Sequence, residues 1–147
     1  MLIIEKIYHL KTVDLFSEIS EDKLIAIANL MEERQVPKDA VIFNKGESGH
    51  ELYIIESGLV LIHDNDKPII ELKSGDFFGE ISLLSSETRT ASATAMEDTV
   101  LLTLDQWQFY ELLEVNTSIF QGIIQTLCAR LVRQNHLITQ MNSQSPK

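Results

Sequence analysis

The chain has 147 residues, 44% hydrophobic and 23% charged, which is the size and composition of one globular domain rather than a disordered chain. The 22 acidic against 12 basic residues leave a formal net charge of −10, which repels phosphate backbones and anionic lipid at long range and argues against direct nucleic-acid binding by this domain. One cysteine, Cys128, excludes an intrachain disulfide and any CxxC site, and it reads as a small core residue of the last helix. No apolar run approaches a membrane span, and no basic leader or cleavage site opens the chain, so a cytoplasmic domain not itself embedded in a membrane is expected.

Residues 1–35 read as helices. Leu2, Ile3, Ile7 and Leu10 recur at helical spacing, and after a break near residues 12–14 Ser20 is a candidate N-cap with Glu21 and Asp22 in the first turn. Leu24, Ile27, Ala28, Leu30 and Met31 then form an apolar face, and Pro37 ends any helix. From residue 36 to 104 the texture is short β-rich runs (41–43, 52–55, 59–63, 69–72, 90–95 and 100–104) separated by turn dipeptides such as Lys45-Gly46, Ser48-Gly49, Ser57-Gly58 and Ser74-Gly75. Close spacing of many short strands predicts an antiparallel β-barrel of the jelly-roll kind. Five of the six glycines lie between residues 46 and 79, as turns with positive φ require.

Helix returns over residues 105–141. Asp105 with Gln108 is a capping-box pattern opening a helix over 106–114, with Trp107 and Phe109 expected to pack against the barrel. Asn116 or Thr117 can cap a long final helix whose Phe120, Ile124, Leu127, Leu131 and Ile138 form an apolar seam. Residues 142–147 read as a frayed polar tail. The fold class is therefore mainly β with flanking α: N-terminal helices, a barrel, and C-terminal helices in one domain, 1–141.

The stretch from Gly75 through Ser92 interrupts the strand pattern. Gly79 precedes a short apolar helix (Ile81, Leu83, Leu84), and a helix that starts at a glycine presents free backbone N–H groups to an anion. Arg89, nine residues after Glu80, is positioned to close over the same anion, Thr90 adds a hydroxyl, and Ala91 admits a ligand close to the backbone. Glu80 opposes an anion unless it accepts a hydrogen bond, so a ligand carrying both a phosphate and a free sugar hydroxyl would satisfy the two together. A cyclic nucleotide holds those groups close by its covalent geometry. His9, His50, His63 and His136 are scattered without ligand spacing, so no metal is expected. No nucleophile–base motif is present either, and neither an enzyme nor a cofactor is expected.

The stretch FGEISLLSSETRTASATA (78–95), with GESGHELYIIESG (46–58) upstream, resembles the phosphate-binding cassette and glycine-spaced strand pair of the cyclic-nucleotide-binding domain family. That family includes kinase regulatory subunits, cyclic-nucleotide-gated channels and catabolite activators, and the resemblance covers roughly residues 14–134. It implies a regulatory sensor for cAMP or cGMP that relays occupancy through its flanking helices. Glu80 would accept the ribose 2′-hydroxyl, and Arg89 would pair with the exocyclic phosphate oxygens. Backbone around Gly79, Ile81 and Ala91 would hold the remaining oxygens, with Ser82 and Thr90 completing the ligand-binding set. His50 stands where the family commonly has aspartate, and Thr88 where proline or arginine is frequent. Arg133, His136 and Leu137 all lie where a base cap is placed, and the choice between them stays open, as does that between the two bases.

The lead-in IEKIYHLKTVDLFSEIS (4–20) looks like that of domains fused to a membrane transporter or helical-repeat protein, so the chain is expected to be a piece of a larger one. Two alternatives stand beside the sensor. One is a ligand-independent interaction module that dimerises through the last helix. The other is the sensor half of a catabolite activator-type transcription factor.

Overall fold

A computed structural model describes residues 1–144 of the chain. Helix α1 (Ile3–Leu10) buries Ile7 and Leu10, a 3-10 turn (Asp14–Phe16) buries Leu15 and Phe16, and α2 (Glu21–Ala28) buries Leu24, Ile27 and Ala28. Ser20 precedes α2 in extended conformation, but its hydroxyl donates to Asp22 at 2.6 Å instead of accepting from the helix amides. The expectation of helix up to residue 35 fails: Glu32–Val36 is a strand, β1. It is an edge strand, exposed except for Val36, so its Glu-Glu-Arg-Gln sequence carries no apolar alternation to announce it.

Seven more strands follow: β2 (Val41–Phe43), β3 (Glu51–Ser57), β4 (Leu59–Asp64), β5 (Lys67–Lys73), β6 (Phe77–Phe78), β7 (Ser92–Ala95) and β8 (Thr99–Asp105). They form a jelly-roll sandwich of two four-stranded antiparallel sheets, ordered β1-β8-β3-β6 and β2-β7-β4-β5, rather than one closed ladder. Tyr53, Ile55, Phe78 and Leu101 of the first sheet meet Val60, Ala93 and Ala95 of the second between the layers. Alternate residues of the same strands, Leu52, Ile54, Leu102 and Leu104, face the helices. The first sheet is thus covered on both faces, which is why β3 reads Leu-Tyr-Ile-Ile without alternation.

Helix α3 (Glu80–Leu84) sits between β6 and β7. After β8, Asp105 caps α4 (Gln106–Val115) by accepting from the amides of Trp107 and Gln108, a contribution of about 1 kcal/mol. Phe109 is buried beside Phe16, whereas Trp107 is exposed and does not pack against the sheets as expected. Helix α5 (Thr117–Gln144) continues past residue 142, and residues 145–147 of the expected tail lie outside the described residues.

The apolar seam of α5 is largely exposed. Ile119, Ile123 and Thr126 face the core and Leu127 packs half-buried against it, while Phe120, Ile124, Leu131 and Ile138 are 43–59% exposed. The helix carries two apolar stripes, and the N-terminal turn around Asp14–Phe16 packs on the other one; from Leu131 to Asn142 every residue is exposed. Cys128 is likewise exposed rather than a core residue.

Candidate functional site

The chain reaches α3 through Gly79, whose φ is +80°. A Cβ there would stand 2.6 Å from the Glu51 carbonyl of β3, so both the left-handed backbone and the close strand exclude a side chain. Buried Leu83 anchors the short helix in the core, which leaves the first-turn amides of Glu80 and Ile81 without helical acceptors. The Ser82 amide returns to the Gly79 carbonyl at 3.1 Å, and the Ser82 hydroxyl faces Arg89.

Arg89 lies in the loop before β7 and is 8% exposed. Its backbone is tied across to the β2–β3 connection, donating to the Glu47 carbonyl at 2.7 Å and accepting from the Gly46 amide at 2.8 Å. The guanidinium donates from Nη1 to Ser82 Oγ at 2.8 Å and from Nη2 to the Glu51 carbonyl at 3.4 Å. It stacks over the Phe43 ring, 4.2 Å from the centroid, with Tyr53 at 5.7 Å. Its Nε is buried without a partner, and among the described residues no carboxylate comes within ion-pairing distance. Burial accordingly lowers the guanidinium pKa, against the raising influence of Tyr53 and Glu51. A buried cation held by neutral groups is an unfinished arrangement that an anion completes.

Gly49, expected only as a turn residue, makes room for this guanidinium. Its φ is not positive, and a Cβ on it would lie 2.3 Å from Arg89 Nε and 2.4 Å from Cζ. Glycine is therefore present for close approach rather than for turning the chain. Nothing in the Ser48-Gly49 dipeptide separates the two reasons, so sequence reading missed it, as it missed Phe43 beneath the charge.

Glu80 opens α3 with its side chain 16% exposed. One carboxylate oxygen, Oε1, pairs with Arg130 Nη2 of α5 at 3.0 Å, while Oε2 is buried with no partner. Arg130 also donates from Nε to Asp14 at 2.8 Å, so one guanidinium joins α3, α5 and the N-terminal turn. Desolvation lowers the Arg130 pKa, but the bonds from Asp14 and Glu80 outweigh it and raise it overall. Arg130 escaped the sequence reading because fifty residues separate it from Glu80 and no motif links them.

Gly79, Glu80, Ile81, Ser82, Arg89, Thr90 and Ala91 all line one cavity of about 670 Å³, together with Glu87, Thr88 and an apolar wall of Phe43, Ile62, Ile70, Leu72, Phe77 and Phe78. Polar groups from the α3 region thus share the cavity with an apolar wall drawn from the second sheet and from β6 of the first, the composition of a small-molecule site. Arg133, His136 and Leu137 do not line it and are exposed on the outer half of α5. Among the described residues no helix is long and apolar enough to cross a membrane.

The sequence profile of the cyclic nucleotide-binding domain matches residues 33–116. A cyclic nucleotide-gated potassium channel of Rhizobium etli is 36% identical over 118 residues, 80% of this chain and 33% of the channel. The crystal structure of the Thermus thermophilus catabolite activator protein superposes with a TM-score of 0.65 at 30% identity, over 88% of this chain and 63% of that one. The N-terminal domain of a transcriptional regulator from Streptomyces coelicolor shares the fold, with a TM-score of 0.82 at 22% identity over 87% of this chain and 95% of that domain. This chain spans 22% to 38% of the length of the curated relatives it matches. With its jelly roll, its short helix after Gly79 and this profile match, the chain belongs to the cyclic nucleotide-binding domain family.

Proposed function

We propose that the chain is a non-enzymatic regulatory sensor that binds cAMP or cGMP in the cavity beside α3 and relays occupancy through its flanking helices. The observation that carries this reading is the buried Arg89 guanidinium, which opens on that cavity without a carboxylate partner. A cyclic phosphate supplies the missing charge as a charge-assisted hydrogen bond worth about 1.5–3 kcal/mol. Glu80 Oε2 accepts the ribose 2′-hydroxyl, the backbone at Gly79, Ile81 and Ala91 holds further phosphate oxygens, and Ser82 and Thr90 offer hydroxyls. The apolar wall of Ile62, Ile70 and Leu72 suits a nucleobase face. The ion pair from Glu80 to Arg130 supports relay to α5, because ligand and helix then share one carboxylate.

In this reading the domain works in the cytoplasm as the sensing part of a longer protein, such as a fusion to a membrane transporter or a helical-repeat protein, and does not itself touch nucleic acid. Calorimetric titration with cAMP and cGMP in parallel tests it. Micromolar binding, about −8 kcal/mol, is expected, and the tighter ligand fixes the base preference. No heat with either, in folded protein free of co-purified nucleotide, overturns it.

Exposure of Phe120, Ile124, Leu131 and Ile138 on α5 favours a second reading, dimerisation through the last helix without ligand. Sedimentation of wild type beside Leu131→Lys and Ile138→Lys decides it: a nucleotide-insensitive dimer lost in both variants supports it, and a monomeric wild type removes it.

A further inference from the structure

Gln106 is a wholly buried amide that neither lines the cavity nor belongs to the ion pairs described above. It opens α4 directly after the cap Asp105 and is 1% exposed. Its backbone amide donates to the His50 carbonyl at 2.9 Å. Its side-chain Nε2 donates to the Ser82 carbonyl at 3.0 Å, and its Oε1 accepts from Ser86 Oγ at 3.0 Å. The Ser82 carbonyl fixes the amide's orientation, since an oxygen that only accepts must face the NH2 group, which leaves Oε1 to accept from the Ser86 hydroxyl. The carbonyls of Ser82 and Leu84 belong to the end of α3, where the last carbonyls have no N–H donors within the helix. Gln106 serves the first of them, and the Tyr110 hydroxyl, one turn further along α4, serves the second.

Ser82 is held from its other side as well, its hydroxyl accepting from Arg89 Nη1 at 2.8 Å. One residue therefore touches the anion-seeking guanidinium with its side chain and the first residue of α4 with its carbonyl. We infer that Gln106 is a positioning residue of the anion site, which couples the placement of Arg89, through Ser82, to the first turn of α4. The inference rests on the cyclic-nucleotide reading above. An anion in the cavity competes with Ser82 for the Arg89 guanidinium, and the buried amide carries the resulting shift of Ser82 into α4. Trp107, the chain's only tryptophan, is the next residue and is 65% exposed, so its emission reports on that turn.

The experiment uses the whole chain with cAMP as probe, reading affinity by calorimetry and the response of α4 by Trp107 emission at saturation. Wild type is expected to bind and to change its emission. Gln106→Leu keeps the approximate volume and removes both side-chain bonds; its affinity is expected to stay within tenfold of wild type while the emission change per bound ligand falls at least threefold. A full emission change per bound ligand in Gln106→Leu, whatever its affinity, overturns the inference, and so does a wild type that binds without any change. If Gln106→Leu lacks a cooperative melt, Ser86→Ala decides, because it removes one of the amide's two side-chain bonds by a change at an exposed residue. Its response is expected to be at least halved, and an unchanged one overturns the inference. Wild type giving no heat with cAMP or cGMP is a separate result, which removes the functional reading itself.

Discussion

Arg89 and Glu80 line the same cavity from opposite ends of one short segment, yet the fold treats them in opposite ways. Arg89 is buried, stacked on Phe43, given a hydroxyl and a carbonyl, and denied a carboxylate. Glu80 has one oxygen already paired with Arg130, which reaches in from α5 and holds Asp14 as well. An unpaired buried cation costs folding stability, and that cost is recovered only when an anion arrives. A partly exposed ion pair is worth about 0–1 kcal/mol, so it rearranges at little expense. The first arrangement suits capture and the second suits reporting to α5, because Glu80 is paired directly with a side chain of that helix.

Substitutions at the two ends are expected to separate these roles. Arg89→Ala removes the capturing charge and should weaken cAMP binding by about 100-fold or more, measured by calorimetry. Gly49→Ala tests the pocket built for that charge. Its methyl would overlap the guanidinium, 2.3 Å from Nε, and a loss of about 10- to 30-fold is expected as the side chain is pushed off Phe43. Phe43→Leu keeps an apolar wall but removes the ring under the cation, and should cost about 3- to 10-fold in affinity. Arg130→Met acts at the reporting end, where stability should fall by less than about 1 kcal/mol in denaturant melts. Affinity in that variant should stay within about threefold, while the added hydrogen-exchange protection that cAMP gives α5 is lost. An Arg130→Met loss as large as that of Arg89→Ala would erase the distinction between the two ends.

Much of this arrangement is legible in the sequence. The glycine-punctuated strands, the short helix after Gly79, the capped start of α4 and the glutamate–arginine spacing all rest on local rules, and local rules are written in consecutive residues. The seven residues expected at the site line one cavity for the same reason, since they lie on one helix and one loop. What escaped depends on contacts between distant segments. Edge strand β1 is polar because only Val36 turns inward. Gly49 is small for the sake of a side chain forty residues away, and Arg130 has its role only because the fold brings its side chain from α5 to Glu80. The α5 seam shows a different limit: apolar periodicity identifies a face able to be buried, but a helix with two such faces does not say which one the domain uses. Cys128 and Trp107 are exposed against expectation for a related reason, since residue type alone does not set which side of a helix a residue occupies.

Titrating cAMP into wild type and Arg89→Ala side by side tests the capture of an anion by Arg89 most directly. Heat in wild type that the substitution abolishes, with both proteins melting cooperatively, is the predicted result. Equal binding by the two proteins would contradict it, since the guanidinium would then be structural and the cavity's ligand would be held by other groups.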